Sequence, residues 1–396
     1  FVNFAMRRLA VLYINNDIMA GIYVHVPFCK TRCSYCDFYS TTFGAEVMEK
    51  YTARVCVELS ARKKYPGSGK ISSVYFGGGT PSRLEIRQLK RLFDCICDNF
   101  EIADGAEITV EANPDDLCDE YVQALRTLPF NRVSMGVQSF NDNLLAVINR
   151  RHTAQQAVDT FNRLRGAGFG NISIDLIYGL PGETLAMWEN DVVKAVTMKP
   201  EHVSAYALTY EPGTLLYRRR RAGEIAEADE DLYVSMYGLL MDRLNEAGYE
   251  HYEISNFALP GRRAVHNSSY WTGEPYLGVG PGAHSYDGVS RRCNTPDVMS
   301  YISSDGDVPH ESELLDMDTR YDEMVMTRLR TREGIDLGSV RDEFGGRRLD
   351  YLLENAARAI AAGQLEEYEC KGRRMLRLTR KGIFVSDEIM SDMMAG

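Results

Sequence analysis

The chain has 396 residues, 44% hydrophobic and 26% charged, with a net charge of −11 at pH 7. That length accommodates two or three domains at roughly 100–200 residues each, and the acidic balance excludes a general nucleic-acid binder, which needs a basic surface to displace counterions. No run of about 18 apolar residues is present, which excludes a membrane-spanning helix, and nine cysteines are too few and too unevenly placed for a disulfide scaffold.

Residues 1–18 carry the pair Arg7-Arg8 followed by the short apolar run LAVLYI. The run is short and NND stands where a small-residue cleavage site would be. The segment is therefore read as an N-terminal extension ahead of a native start at Met19, not as a signal peptide. From Gly21 onward, β-branched or aromatic runs predict strands at 22–26, 73–76, 107–111, 132–137, 172–177 and 202–208. Apolar residues at helical spacing predict helices at 46–62, 84–98, 154–166 and 183–197. Six strands alternating with helices imply parallel βαβ units with right-handed crossovers. Several strands are apolar runs, as expected where both faces are covered. A partial or full α/β barrel over residues 19–210 is the expected fold, with an open doubly wound sheet as the alternative. Turn residues follow five strands: PFC, GGGTP, NP, QSF and GLP. In parallel α/β folds these strand ends share one functional rim.

After residue 210 the pattern changes, and residues 211–309 read as a helical and glycine-rich connecting region. Four consecutive arginines, residues 218–221, read as a solvated helix end; a helical stretch over 226–247 and the segment LGVGPG at 277–282 follow. From about Thr319, three helical patterns precede two short strands around a KGRR turn, a winged-helix-like arrangement assigned to residues 310–396. Acidic residues outnumber basic ones in this tail, which favours an interdomain or substrate-covering role over DNA binding.

The densest chemical signal is Cys29-x3-Cys33-x2-Cys36, directly after the first strand. Thiolates at this spacing can hold one face of a compact metal centre. A structural zinc site needs four ligands, often from paired CxxC hairpins, and no second pair lies nearby. Cys56, Cys95, Cys97, Cys118 and Cys293 are scattered and read as small buried hydrophobes. Three ligands on a four-iron cluster leave one iron open to a small molecule. A reducing cytoplasm is the expected compartment for such clustered free thiols.

This spacing resembles the signature of the radical S-adenosylmethionine (SAM) superfamily. The resemblance implies a partial (β/α)6 barrel and a [4Fe-4S] cluster whose open iron is chelated by SAM. It further implies reductive cleavage of SAM to methionine and a 5′-deoxyadenosyl radical, with the protein placing the cofactor and excluding water and oxygen. Residues 77–81 (GGGTP) look like the motif for the SAM amino group, where glycine allows close backbone approach. Glu111 looks like the acceptor for the ribose hydroxyls. The blocks YVHVPFCKTRCSYCDF, YFGGGTPS, VEANPD, RVSMGVQSFNDNLLAVINRRH, ISIDLIYGLPGET and HVSAYALTYEPGT resemble, in order, the oxygen-independent coproporphyrinogen III oxidase group. By that resemblance Tyr23, Gly78 and Glu111 match contacts to the cluster-bound SAM. Tyr35, Gly79, Thr80, Gln138, Arg150, Asp175 and Thr209 match positions around a second SAM; residue types differ from the family pattern at Tyr35 and Thr209. The alternative for Arg150 and Asp175 is a structural ion pair at the rim.

One departure bears on function. The oxidase has a further cysteine two positions after the triad, where this chain has Phe38. That pattern resembles the sister branch of radical SAM heme chaperones. His266, Tyr270 and Trp271 lie in HNSSYW, which resembles that branch's HNxxYW segment, associated with heme. An imidazole can ligate iron while aromatic rings cover an apolar macrocycle; the alternative for His266 is a hydrogen-bonded core histidine, with His284 and His251 as rival ligands. Two functions therefore stand open. One is a carrier that binds heme and passes it to apoproteins. The other is an enzyme that oxidatively decarboxylates porphyrinogen propionates, with a tRNA-modifying enzyme a distant third. The resemblance also implies an electron donor such as a ferredoxin or flavodoxin.

Overall fold

A computed structural model describes residues 20–65 and 69–395; the N-terminal extension and Met19 lie outside the described residues. Six parallel strands form the centre: β1 (Ala20–Val26), β2 (Ile71–Gly78), β3 (Ile102–Ala112), β4 (Arg132–Gln138), β5 (Ile172–Tyr178) and β6 (His202–Ala207). Their helices are α1 (Ala45–Ala61), α2 (Ile86–Asn99), α3 (Asp119–Leu125), α4 (Asp142–Val147), α5 (Ala154–Gly166) and α6 (Leu185–Met198). The six predicted strands and four predicted helices are all present; α3 and α4, at seven and six residues, are too short for a helical period to show.

The six strands lie side by side in chain order. A doubly wound sheet reverses its order at a switch point, so this sequential order decides for the barrel. Both faces are covered, yet the strands alternate instead of being apolar throughout. Ile22, Val24, Val74, Phe76, Ile108, Val110, Val133, Met135, Ile172 and Ile174 join the apolar core. The alternate positions Tyr23, Ser73, Tyr75, Glu111, Ser134 and Asp175 hydrogen-bond with one another or with neighbouring polar groups on the inner face. The period of two thus builds a barrel with an apolar jacket and a polar interior.

The barrel does not close. After α7 (Leu215–Arg221) and α8 (Glu230–Glu246), β7 (Glu250–Glu253) and β8 (Asn256–Ala258) extend the sheet beyond β6, β8 pairing antiparallel. Helix α9 (Val265–Thr272), which carries HNSSYW, packs on β1 and β2. Strand β9 (Tyr276–Val279) then pairs parallel with β1, and β10 (His284–Tyr286), β11 (Ser290–Asn294), α10 (Val298–Ser303) and β12 (His310–Leu314) complete a 12-stranded sheet. Residues 211–309, read as a connecting region, therefore supply five strands of that sheet, and LGVGPG holds β9 and the turn beyond it. Gly280 there has φ +99° and a Cβ would lie 2.5 Å from the His25 carbonyl oxygen, so only glycine lets the two chains meet.

The arginine run forms the end of α7, as expected. The C-terminal unit comprises α11 (Met317–Leu329), β13 (Ile335–Asp336), α12 (Leu337–Phe344), α13 (Gly346–Ala361), β14 (Leu365–Cys370), β15 (Arg373–Leu378), α14 (Arg380–Ile383) and α15 (Ser386–Met393). Its three-stranded sheet has the order β13-β15-β14, and its own apolar core includes Tyr321, Val325, Leu352 and Leu376. Among the described residues no helix is long and apolar enough to cross a membrane.

The added strands are pinned to the barrel by a buried carboxylate. Glu58 of α1 accepts from Arg62 (3.0 Å), the Gly280 amide (3.0 Å), Asn294 (2.8 Å) and the Tyr301 hydroxyl (2.6 Å). Arg62 in turn donates to the Gly278 carbonyl and to Ser285. Glu58→Ala would leave the Arg62 charge buried and unpaired, and is expected to destabilise the fold by about 3–5 kcal/mol. Urea unfolding of the variant checks this, and a loss below about 1 kcal/mol would show that the network is dispensable.

Candidate functional site

The cysteine loop leaves β1 at Val26 and is tied down by its backbone. Cys29 N–H donates to the Thr41 carbonyl at 2.8 Å, Ser34 N–H to Ile148 at 3.1 Å, and Leu216 N–H to Ser34 at 2.8 Å. Tyr35 packs on a small apolar cluster that includes Leu144, Ile177, Leu208 and Leu216. The loop is thus seated on the ends of β4–β6, and its three thiols are free and partly buried.

Side chains from other strand ends reach the sulfurs. Thr80, after β2, donates to Cys29 Sγ at 3.4 Å, and Asn113, after β3, donates to Thr80 at 3.2 Å. Arg150, after α4, donates to Asn113 Oδ1 at 2.7 Å and to Cys33 Sγ at 3.5 Å, and also reaches the Gly136 carbonyl. Cys29, Thr80, Asn113, Arg150 and Cys33 therefore form one continuous polar chain. Asn113 was not singled out from the sequence, although its place in VEANPD at a strand end was the available signal. The expected alternative of an Arg150–Asp175 ion pair is corrected: Asp175 accepts from Ser134 at 3.1 Å and from Ser173 at 3.4 Å and, among the described residues, forms no pair with Arg150.

Burial pushes the Cys29 thiol up and Cys36 to about 11, so these thiols are protonated at neutral pH until a metal displaces the protons. Among the described residues no three His, Cys, Asp or Glu groups are arranged to hold a single metal ion. The triad fits a polynuclear iron centre instead: three soft donors on one loop, with donor groups already aimed at two sulfurs.

Next to the triad, Gly78 has φ +106° and a Cβ would sit 2.7 Å from the His25 ring, which explains the glycine. Its amide donates to Glu111 at 3.2 Å, and the Tyr75 hydroxyl donates to the same carboxylate at 2.7 Å. Burial, with Asp175 adding to it, pushes Glu111 up to about 7. An ionised carboxylate offers about four lone-pair sites, so two remain for ribose hydroxyls. Tyr23 stacks near Tyr75 and contacts His25 at 3.1 Å. Gly79 and Thr80 follow Gly78, while Gln138 ends β4 with a positive φ of 68°. Thr209 is exposed just past β6.

The three residues of the heme expectation part company. His266 is buried within the barrel, with Nδ1 2.8 Å from the Ser73 hydroxyl and Nε2 2.9 Å from the Tyr270 hydroxyl. Burial, with Arg132 adding to it, pushes it down to about 3. Both nitrogens are engaged, the arrangement of the hydrogen-bonded core histidine given as the alternative for His266. Tyr270 and Trp271 instead line a cavity of about 680 Å³, bounded by the cysteine loop, β9–β11 and helices α11 and α12. Phe38 lines it too, 62% exposed. His251 lies elsewhere, stacked on Phe257 at 4.2 Å. The scattered cysteines also differ from expectation: Cys56 and Cys95 form a disulfide between α1 and α2, while Cys97 and Cys118 are exposed.

The Radical SAM superfamily profile matches residues 23–194 and the HemN C-terminal domain profile residues 315–385. A Lactococcus lactis protein named heme chaperone HemW is 39% identical over 326 residues, 81% of this chain and 84% of that protein. The Bacillus subtilis protein of that name is 33% identical over 375 residues, covering 94% and 98%. The chain belongs to the HemW family of radical SAM proteins. A Mycobacterium tuberculosis HemW is 36% identical over 93% of both chains. The solved structure of the radical SAM coproporphyrinogen III oxidase HemN from Escherichia coli superposes with a TM-score of 0.82 over 98% of this chain and 93% of that one. At 22% identity that match establishes the shared fold. Membership of the superfamily implies a [4Fe-4S] cluster and SAM.

Anaerobic reconstitution is expected to load about four irons per chain, with Cys33→Ala losing most of them and Cys118→Ala none. Equal iron in the Cys33 variant would remove the triad from the site. For Glu111, SAM affinity is expected to rise as pH increases through about 7, because the ionised carboxylate is the better acceptor. Glu111→Gln should weaken binding roughly tenfold or more, the equivalent of about 1.5–3 kcal/mol, and flatten the pH profile. Calorimetry giving an unchanged affinity and profile would make Glu111 purely structural.

Proposed function

We propose that this chain is a heme carrier: it binds heme in the cavity beside the cysteine loop and delivers it to apoproteins in the cytoplasm. It carries a [4Fe-4S] cluster on Cys29, Cys33 and Cys36 and SAM at the barrel mouth. The observation that carries this reading is the cavity itself. At about 680 Å³ it falls in the roughly 300–1,000 Å³ range of small-ligand sites. Its walls include the rings of Phe38, Tyr39, Tyr270, Trp271, Tyr276 and Phe344. Flat apolar surfaces of this kind suit a macrocycle.

The cluster and SAM, when bound, supply one-electron reductive chemistry, for which a ferredoxin or flavodoxin is the suitable donor class. This chain's residues position and shield. Thr80 and Arg150 donate to two triad sulfurs. Glu111 accepts at the barrel mouth from Tyr75 and the Gly78 amide, and Tyr23 and His25, in contact with each other, line the cavity. Phe38 offers no thiol for proton or electron transfer beside the triad, and its exposed ring is an apolar wall instead. That substitution disfavours the oxidase reading.

The test is to incubate reduced, reconstituted protein with SAM and coproporphyrinogen III, beside a heme titration. Stoichiometric heme uptake without protoporphyrinogen IX is expected. Multiple-turnover decarboxylation would overturn the carrier reading and install the oxidase.

A further inference from the structure

We propose that His284 is the protein ligand to the iron of the porphyrin bound in this cavity, an assignment that rests on the heme reading above and names its coordinating residue. In the β9–β10–β11 ribbon, Ser285 points inward to Arg62 and Gly278. Its neighbours His284 and Tyr286 point the other way, into the cavity. The antiparallel register sets Cys293 opposite His284 and Arg291 opposite Tyr286, so these four side chains share one face. All four line the cavity.

The chain has seven histidines, and all are described. Only His25 and His284 line the cavity. His25 has both ring nitrogens occupied, by the Tyr23 hydroxyl at 3.1 Å and the Tyr39 carbonyl at 3.0 Å. His284 is exposed, and its single polar contact among the described residues is Nε2 to Cys293 Sγ at 3.4 Å. That contact orients the ring and leaves Nδ1 unengaged.

The occupant follows from what the cavity lacks. A bare cation needs three or more protein donors, and no such group exists among the described residues. A metalloporphyrin brings four nitrogens of its own and asks the protein for one or two axial ligands, most commonly a histidine. The lining carries three arginines, Arg291, Arg320 and Arg328, against four carboxylates, Asp37, Glu274, Glu323 and Glu343, so only an arginine outside an ion pair can meet an anionic propionate. Arg291 and Arg320 are paired with Glu323 (2.8 Å) and Glu343 (2.5 Å). Arg328 donates to the Thr272 carbonyl at 2.6 Å and forms no ion pair among the described residues, so it is free to meet a propionate.

Hemin titration of the full-length wild type, His284→Ala and His310→Ala tests this, read by the Soret band and low-temperature EPR. Residue 284 is exposed, and His310, outside the cavity, serves as the control. Wild type and His310→Ala should share one spectrum with a nitrogen-ligand signature. His284→Ala should lose that signature and bind at least about tenfold more weakly, since disturbing even an outer partner of a metal ligand typically costs 10–100-fold. Added imidazole should restore the wild-type spectrum and affinity in the variant, and a circular dichroism spectrum matching the wild type checks that the variant is folded. A wild-type spectrum and affinity in His284→Ala would overturn the assignment while leaving the heme reading intact. Absence of heme binding by the wild type would overturn both.

Discussion

The polar chain from Cys29 through Thr80, Asn113 and Arg150 to Cys33 is the constraint on which the site depends. A loop carrying three thiols has little regular structure of its own, and a metal centre requires its donors to be held in place. Here the ends of β2 and β3 and the segment after α4 do the holding, each contributing one side chain. A parallel barrel with sequential strand order is what makes this possible, because successive strand ends lie side by side on one rim. The alternation of apolar and polar positions along each strand supplies the rest. The outward side chains give the jacket on which the helices pack, and the inward ones give Glu111, Tyr75 and Asp175 a hydrogen-bonded interior.

A second constraint shapes the cavity. An open barrel leaves the β1 edge unpaired, and the chain covers that edge with β9 and the ribbon beyond it. Glu58 is buried and receives four donors from α1, the turn after β9, β11 and α10. The ribbon is therefore held at a set distance from the cysteine loop. The space between them, closed from the far side by α11 and α12, is the cavity. Helix α9 completes it. Its buried end anchors His266 against Ser73, while its last turn delivers Tyr270 and Trp271 to the wall. One short helix thus serves as an internal strut at one end and as part of a binding surface at the other.

Much of this was legible in the sequence, and the exceptions have physical reasons. The strands of the barrel and its longer helices were legible because their apolar periods are long and uninterrupted. The triad was legible because its spacing follows a strand directly. Strand β9 was hidden by the glycine-rich LGVGPG around it, which lowers strand propensity; Gly280, just past the strand, is needed where the chain passes His25. Asn113 was hidden because an asparagine before a proline reads as a turn residue, and only the fold shows its two partners. The two readings of His266 stood side by side because a motif reports which residues recur together, not which way a ring faces, and only the fold shows its bonds to Ser73 and Tyr270. His284 drew notice only as a rival, since its value comes from a cross-strand register that sequence spacing does not display. The Cys56–Cys95 bridge joins two helices whose proximity is a product of packing.

The central claim is that heme occupies the cavity whose wall includes Phe38, two residues from Cys36. Anaerobic crystallography of the reconstituted, heme-loaded protein measures this most directly. The iron anomalous signal is expected to place the heme iron between the cysteine loop and the β9–β11 ribbon, beside Phe38 and Tyr270. Heme iron found anywhere else would contradict this claim.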